Sequence, residues 1–533
     1  MRRRTGRAAE QAAGALDARL PVMEGGRAVM RKAFPDHWSF LLGELALYSF
    51  VLLLLTGVYL TFFFKPAMAE LVYQGSYAPL RGLRMTEAYA STLDISFDVR
   101  GGLLIRQIHH WAALLFVSAI GVHLLRIFFT GAFRRPREVN WAIGVTLFLL
   151  ALLEGFAGYS LPDDLLSGTG LRTAEGIVLS IPVVGSYLQM FLFGGQFPGQ
   201  AIVPRLYTTH ILLVPGLLLA LITVHLILVV YLKHTQWAIP GRTNRNAVGQ
   251  PMFPHFTAKS TGLMLTVFGV LAALAALAQI NPIWVYGPYR PDQASTDAQP
   301  DWYVGFLEGA IRLMPGAETR LWGHTVAWNP FLPAVVLPGV LFAVLYAYPF
   351  FERWVTGDRR EHHLCDRPRN RPVRTGLGVA SVAWYAVLLA AGGQDVIAYT
   401  MHLSVNTLAL LFRVLFFVLP VAAFWVTKRT CLALQAHERE LLEEGEETGF
   451  VRQSVQGGFA QGRRALPAER RHVALARDIP TPVHDTTGRG GRLRSALSTW
   501  YYGDRVELPA TPDQRPIASV TAEPGPPDEE TGG

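Results

Sequence analysis

Long apolar stretches recur along this chain, and they constrain its fold more than any other feature of the sequence. A helix that crosses a lipid bilayer needs roughly 20 mostly apolar residues. Charged residues make up 17% of the 533 residues, against about 25% in soluble domains. We therefore predict an all-α integral membrane protein with eight transmembrane helices. We name these helices A to H: Phe40–Phe64, Leu103–Phe129, Trp141–Tyr159, Leu206–Leu232, Gly262–Ile280, Phe331–Phe351, Gly376–Ala391 and Leu403–Val426.

Lysine and arginine collect in alternate loops, and this predicts how the helices are oriented. They dominate the segment before helix A, the B–C, D–E and F–G loops and the residues after helix H. Because Lys and Arg are enriched in cytoplasmic loops, we predict a multi-pass protein of the cell membrane with both termini in the cytoplasm. The net charge of +8 then reflects membrane orientation, and we expect no nucleic-acid partner.

Four histidines lie inside the predicted spans. Helix B holds His109 and His123, 14 residues apart, and helix D holds His210 and His225, 15 apart. These spacings return each pair to nearly the same helix face, with about 21–22 Å between its members along the axis. His109 should lie level with His210 near the outside, and His123 level with His225 near the inside. Two opposed imidazoles suit a six-coordinate b-type haem, so we predict two haem b sites. The alternative is two unrelated pairs of polar residues.

Glycines repeat at the same spacing in the other two helices of the first half. Gly43 and Gly57 in helix A are 14 residues apart, and so are Gly144 and Gly158 in helix C. Glycine lets a flat ligand approach the backbone closely because no Cβ intervenes. Small-residue helix packing favours a spacing of four and does not predict 14. We therefore predict that helices A to D form a di-haem four-helix bundle.

Two arginines are placed to bind haem propionates. Arg106 precedes His109 by three residues, and Arg126 follows His123 by three. A guanidinium matches a carboxylate with two hydrogen bonds. Snorkelling at a helix end explains Arg126 almost as well.

Cysteine usage excludes other redox cofactors from this chain. Cys365 and Cys431 are its two cysteines, and it contains neither CxxC nor CxxCH. The chain therefore lacks ligands for an iron–sulfur cluster and an attachment site for covalent haem. Any such cofactors must be carried by partner proteins.

Several motifs together resemble one family. They are RQIHHWA in helix B, TTHILL and VHLIL in helix D, WAIG and GYSLPDD in helix C, and PDWY at Pro300–Tyr303. Over roughly Phe34–Cys431 the chain resembles cytochrome b of respiratory quinol–cytochrome c reductase (cytochrome bc) complexes. Asp94–Gly102, Gly158–Arg172, Phe191–Gly199 and the long polar tail look like the actinobacterial branch.

The resemblance implies roles for the candidate site residues. His109 and His210 would ligate the low-potential haem near the outer face, and His123 and His225 the high-potential haem near the inner face. Asp301, where the family has glutamate, would accept a proton from quinol. The outer quinol pocket would lie around Tyr159, Pro162, Gly170, Pro300, Asp301 and Tyr303.

Some residues depart from the family pattern. Pro162-Asp163-Asp164 stands where the family has Pro-Trp-Gly. Glu154 lies inside helix C, where a small or hydroxyl residue is expected. Two roles are open for it: a proton relay, or a protonated carboxyl that makes hydrogen bonds. His110 should point about 100° away from His109 around the helix and should not be a second ligand. For the inner quinone pocket, Lys233 and His234 are the candidates.

The resemblance also implies a function and partners. The chain would oxidise menaquinol outside and pass electrons through two b haems to a quinone inside, coupled to proton translocation in a Q cycle. It would work with a Rieske iron–sulfur subunit, a di-haem c-type cytochrome and a terminal oxidase in a supercomplex. The alternatives are a di-haem membrane anchor of a dehydrogenase or hydrogenase, and a transporter with histidine proton relays.

The same observations predict four segments. Residues 1–33 form a basic cytoplasmic segment, 34–235 the di-haem bundle, 236–430 helices E to H with the PDWY loop, and 431–533 a polar cytoplasmic tail. The tail is expected to be partly disordered, above all in the Pro-rich, acidic stretch Ala522–Gly533.

Overall fold

A computed structural model describes residues 30–293, 299–321, 323–478, 481–485 and 487–509. Most of the predicted basic segment (1–29) and the stretch Ala522–Gly533 lie outside the described residues.

Eight helices in the described part of the chain are long and apolar enough to cross a membrane, which confirms the predicted fold class. Helix E begins at Met252 instead of Gly262, and helix H ends at Glu444 instead of Val426. The extension of helix H is rich in Ala, Leu, Glu and Arg, which are strong helix formers, so the helix continues after its apolar stretch ends. Helices A to H span Leu42–Thr61, Gly102–Phe129, Glu138–Tyr159, Ile202–Tyr231, Met252–Leu277, Trp328–Thr356, Pro372–Gly392 and Val405–Glu444.

Shorter elements lie between and after these helices. In the described part of the chain, four antiparallel strand pairs connect Ala33–Phe34 with Gln250–Pro251, Glu70–Val72 with Arg84–Thr86, Glu318–Leu321 with His324–Ala327, and Glu446–Gln453 with Phe459–Arg464. Shorter helices span Glu87–Phe97, Leu165–Leu179, Gly185–Phe193, Ile283–Tyr286, Gly305–Leu313, Gln394–Met401, Ala468–Leu475 and Gly488–Tyr502.

Helices A to D pack around an apolar centre. Helix A packs along helix B and helix D along helix C, while helix E lies against A and B. Phe50 of helix A stacks on Phe116 of helix B with 5.4 Å between ring centroids. Leu147 and Leu218 extend this cluster from helices C and D. Helices G and H form a second unit with the helix Gly305–Leu313.

The loops meet at two opposite ends of the bundle. At one end, Arg137 of the B–C loop donates hydrogen bonds to the carbonyls of His362 (2.6 Å) and Lys233 (2.8 Å), which joins the B–C, D–E and F–G loops. At the other end, Thr86 donates to Asp163 (2.8 Å) and Tyr89 to the carbonyl of Ile283 (3.0 Å), which joins the A–B, C–D and E–F loops. The helices therefore alternate in direction, as the charge pattern predicts.

Part of the tail is folded. Tyr501 and Tyr502 are buried with Val355 of helix F and Val373 of helix G. The segment Gly488–Tyr502 thus packs at the end of the bundle where the basic loops meet. Hydropathy could not reveal this contact, because it depends on two tyrosines in a polar segment.

Candidate functional site

Among the described residues, the A–D bundle encloses a cavity toward each of its ends. The His109 cavity, of ≈ 250 Å³, is lined by His109 and His210 and extends to Asp301 of the E–F loop. The His123 cavity, of ≈ 420 Å³, is lined by His123 and His225. The four intramembrane histidines thus form two pairs, each facing its own cavity.

The first histidine pair is arranged to hold a metal between its rings. The ring centroids of His109 and His210 are 6.0 Å apart. The Nδ1 atom of His109 hydrogen-bonds to Thr56 Oγ1 at 2.9 Å, and that of His210 lies 2.9 Å from Glu154 Oε1. Both Nε2 atoms therefore remain for a ligand. A metal–imidazole bond is about 2 Å long, and an iron between the two rings would bind through these two nitrogens.

Each predicted glycine faces one of the four histidine rings. A Cβ on Gly57 would lie 3.3 Å from His109 Cε1, and one on Gly43 would lie 3.2 Å from His123 Cε1. In helix C, a Cβ on Gly158 would lie 2.9 Å from His210 Nε2, which is too close without movement of the ring. The corresponding distance from Gly144 to His225 Cε1 is 3.9 Å, an ordinary contact. The 14-residue spacing therefore places the histidine rings against bare backbone.

The second pair has a different surrounding. The Nδ1 atom of His123 is buried and has no hydrogen-bond partner among the described residues. No described carboxylate lies within ion-pair distance of His123 or His225. The two pairs thus differ at Nδ1: Thr56 and Glu154 contact this atom in the first pair, whereas His123 Nδ1 has no described partner.

The two candidate arginines reach the cavities. Arg106 lines the His109 cavity and donates to the carbonyl of Asn281 at 2.8 Å. Arg126 lines the His123 cavity, with its guanidinium carbon 4.4 Å from the ring centroid of Phe40. Its Nε atom is buried without a hydrogen-bond partner in the described structure. A carboxylate of a bound group would satisfy that atom.

A carboxylate and a phenol meet at the mouth of the His109 cavity. Tyr303 donates a hydrogen bond to Asp301 Oδ2 at 2.9 Å. Burial raises the pKa of Tyr303 well above its usual value, so the phenol stays a neutral donor. His110 Nε2 lies 3.2 Å from Asp301 Oδ1. His110 lines the same cavity, and sequence reasoning missed its contact with Asp301, which is 191 residues distant.

The other predicted outer-site residues are placed less directly. Tyr159 and Pro162 line the His109 cavity. Gly170 lies behind Tyr159, where its Cβ would be 3.6 Å from the Tyr159 ring. Pro300 precedes Asp301 and is not part of the cavity lining.

The His123 cavity contains polar groups that sequence reasoning missed. Lys233 and His234 line it as expected, and burial lowers the pKa of His234 to about 4, so its imidazole is neutral. Glu44 accepts a hydrogen bond from Ser260 Oγ at 2.6 Å, and Tyr48 also hydrogen-bonds to that hydroxyl. The sequence analysis missed the contacts of Ser260 because it predicted that helix E begins at Gly262, which places Ser260 in the preceding loop.

Comparisons with known proteins agree with this geometry. Residues 114–288 match the family model described as cytochrome b(N-terminal)/b6/petB. The chain is 54% identical over 513 residues to the cytochrome bc1 complex cytochrome b subunit of Streptomyces coelicolor, covering 94% of each chain. It is 51% identical over 452 residues to the subunit of the same name from Mycobacterium tuberculosis, covering 85% of this chain and 82% of that one. This chain belongs to the cytochrome b subunits of cytochrome bc1 complexes.

A solved structure supports the fold of this cytochrome b subunit. A chain of a hyperthermophilic respiratory complex III matches with a TM-score of 0.58 and 22% identity, covering 78% of this chain and 98% of that chain. Membership of the family implies haem b binding, a role in respiratory electron transport, and assembly with other subunits of the complex in a membrane. The free Nε2 atoms, the glycines against the rings and the buried Nε of Arg126 fit such a group.

Proposed function

We propose that this cytochrome b oxidises menaquinol at the outer side of the membrane and delivers electrons to a quinone at the inner side, in a Q cycle. The observation that carries the proposal is the pair of cavities at opposite ends of one bundle. Each contains two facing histidines, and the His109 cavity continues to the Asp301 carboxylate. A single-site subunit would need only one such cavity.

The proposal assigns one haem b to each cavity. His109 and His210 would hold the low-potential haem, and His123 and His225 the high-potential haem. Arg106 and Arg126 would bind propionates, while the four glycines leave room beside the rings. When bound, the two haems supply one-electron transfer across the membrane, where moving one charge against 100 mV involves about 2.3 kcal/mol.

Quinol would bind between the histidine pair and the E–F loop. Asp301 would accept a proton from a quinol hydroxyl, while the neutral Tyr303 phenol holds its other oxygen at 2.9 Å. The hydroxyl of Tyr159 is buried without a hydrogen-bond partner among the described residues and is therefore available to a quinol oxygen. Pro162 lines the pocket, and Gly170 and Pro300 shape the backbone around Tyr159 and Asp301.

At the inner side, quinone would bind in the His123 cavity. The Nδ1 atom of neutral His234 donates to the carbonyl of Thr235 at 2.7 Å, so its Nε2 atom would accept a hydrogen bond from a quinol hydroxyl. Lys233 would donate to a quinone carbonyl oxygen. Glu44, Tyr48 and Ser260 form a hydrogen-bonded group on the same cavity wall.

The proposal also assigns orientation and partners. The basic loops and both termini would lie in the cytoplasm, which places the His109 cavity outside. Oxidation of one quinol releases two electrons. One would leave to a Rieske iron–sulfur subunit, whose ligands this chain lacks, and then to a di-haem cytochrome c and a terminal oxidase in a supercomplex.

Haem content and quinol-driven reduction test the proposal. The purified complex should contain two haem b per copy of this subunit in a pyridine haemochrome assay. Menaquinol should reduce them, and an outer-site inhibitor should slow that reduction. One haem or none per subunit, or haems that menaquinol does not reduce, would refute the proposal.

A further inference from the structure

We infer that Glu154 is a positioning residue that would lower the redox potential of the outer haem by accepting a hydrogen bond from His210, the proposed ligand. The inference rests on the proposed haem ligation. It gives a role to a carboxylate inside helix C, where a charged group is costly and rare.

The contact is direct and sheltered. Glu154 Oε1 lies 2.9 Å from His210 Nδ1, and the two side chains are 17% and 18% exposed. Glu154 precedes Gly158 by one helical turn, so both residues occupy the same face of helix C. Gly158 admits the imidazole ring, and Glu154 binds Nδ1, which leaves Nε2 as the nitrogen that would bind an iron. One helix face thus sets both the distance and the orientation of this ligand.

Glu154 has no other described partner that would explain it. Its Oε2 atom is buried and makes no hydrogen bond in the described part of the chain. Leaving a buried polar atom unpaired costs about 1–3 kcal/mol, and more for a charged group. A purely structural residue at this position would not need a carboxyl group, because the backbone carbonyl of Glu154 also lies 3.2 Å from His210 Nδ1.

The electronic consequence follows from ligand basicity. A metal-bound histidine that donates its second N–H to a carboxylate becomes a more basic ligand. A more basic ligand stabilises ferric iron relative to ferrous iron, which lowers the potential. His109 has only the neutral hydroxyl of Thr56 at 2.9 Å, and the His123 cavity places no described carboxylate on either of its histidines. With haems bound, this asymmetry would favour electron transfer from the outer to the inner site.

Redox titration of the purified complex tests this inference. In Glu154→Gln, which keeps the size of the side chain, the ferric-to-ferrous equilibrium of the outer haem should shift about tenfold toward ferrous. That shift equals about 59 mV for one electron. In Glu154→Leu the shift should be larger, the electron paramagnetic resonance signal of the outer ferric haem should move, and the inner haem should be unchanged.

Glu44→Gln is the matched control, because it changes a carboxylate that binds Ser260 in the other cavity. It should leave the outer potential as it is. If Glu154→Gln leaves the outer potential unchanged, or moves both haems equally, the inference is wrong. Slower quinol oxidation with an unchanged potential also overturns it and favours a proton-relay role. Absence of b haem from the unmodified complex would defeat the proposed function instead.

Discussion

The Nε2 atom of His110 lies 3.2 Å from the Oδ1 atom of Asp301, which joins helix B to the E–F loop. Tyr303 binds the other oxygen of the same carboxylate. Asp301 is one methylene shorter than the glutamate of the family pattern, and these two contacts fix its position. In the proposed reaction, a quinol would have to approach Asp301, because contacts to both oxygens hold this carboxylate in place.

Replacing Asp301 with asparagine should slow quinol oxidation about 100-fold or more, the usual size of a lost proton acceptor. Both b haems should remain, because Asp301 contacts neither histidine pair. Menaquinol-driven turnover and haem content of the purified complex measure the two effects. Asp292→Asn, an exposed carboxylate of the same loop that pairs with Arg290, should retain normal turnover. Normal turnover in Asp301→Asn would remove this residue from the proton path.

Replacing His123 or His225 with leucine should remove the inner haem and leave the outer haem partly assembled. The leucine has no nitrogen for the iron, while the His109 cavity lies toward the other end of the bundle. Redox-resolved spectra of the α-bands distinguish the two haems. Retention of both haems in either variant would show that the ligand assignment is wrong.

Alanine at Gly158 and alanine at Gly144 should have unequal effects on haem binding. The new Cβ at position 158 would lie 2.9 Å from His210 Nε2, whereas at position 144 it would lie 3.9 Å from His225 Cε1. Overpacking costs about 1–3 kcal/mol, and 1.4 kcal/mol is tenfold in affinity. We expect Gly158→Ala to bind the outer haem about tenfold more weakly or worse, with Gly144→Ala near normal. Equal haem loss in the two variants would contradict this prediction.

Asp163→Asn should stabilise the complex at high pH but not at low pH. Asp163 is 4% exposed, and burial raises its pKa from 3.8 to about 7. The pKa of Asp163 is higher in the folded than in the unfolded protein. The free energy of unfolding of the unmodified protein therefore falls as the pH rises from about 4 to about 7, by at most about 4 kcal/mol. Asparagine cannot ionise, accepts the Thr86 hydrogen bond and tolerates the φ of 54° at this position.

Thermal unfolding of the complex at pH 5 and pH 8 measures this effect. Asp163→Asn should raise the unfolding temperature above that of the unmodified protein by more at pH 8 than at pH 5. Glu70→Gln, an exposed carboxylate that pairs with Arg84 in the neighbouring strand, should show no such gain. A difference that is the same at both pH values would point to a cause other than ionisation.

The sequence predicted the spans and the histidine pairing well because both depend on helix periodicity and hydropathy. These are local properties, because a helix fixes the rise and rotation per residue. Residues 14 or 15 apart in one helix therefore keep a known distance and face. The start of helix E was misplaced because Ser260 and Lys259 are polar, although Ser260 faces Glu44 inside the bundle. Hydropathy cannot distinguish a polar residue in a cavity from one in a loop.

Contacts between distant loops were beyond sequence reasoning. The pairing of His110 with Asp301 depends on how the E–F loop folds over helix B, and no periodicity encodes that. The same holds for Glu154 and His210, which lie on different helices and meet only in the bundle. The packing of Tyr501 and Tyr502 on helices F and G was missed for the same reason.

Phe116 alone among the described residues borders both cavities. Its ring stacks on Phe50 in an apolar cluster that also contains Leu147 and Leu218. An apolar partition of this kind solvates a proton or an ion poorly, whereas an electron needs no solvating group to pass it. In the proposed function, the partition would act as an insulating layer: electrons would cross it between the two histidine pairs, and protons would not follow them through the bundle.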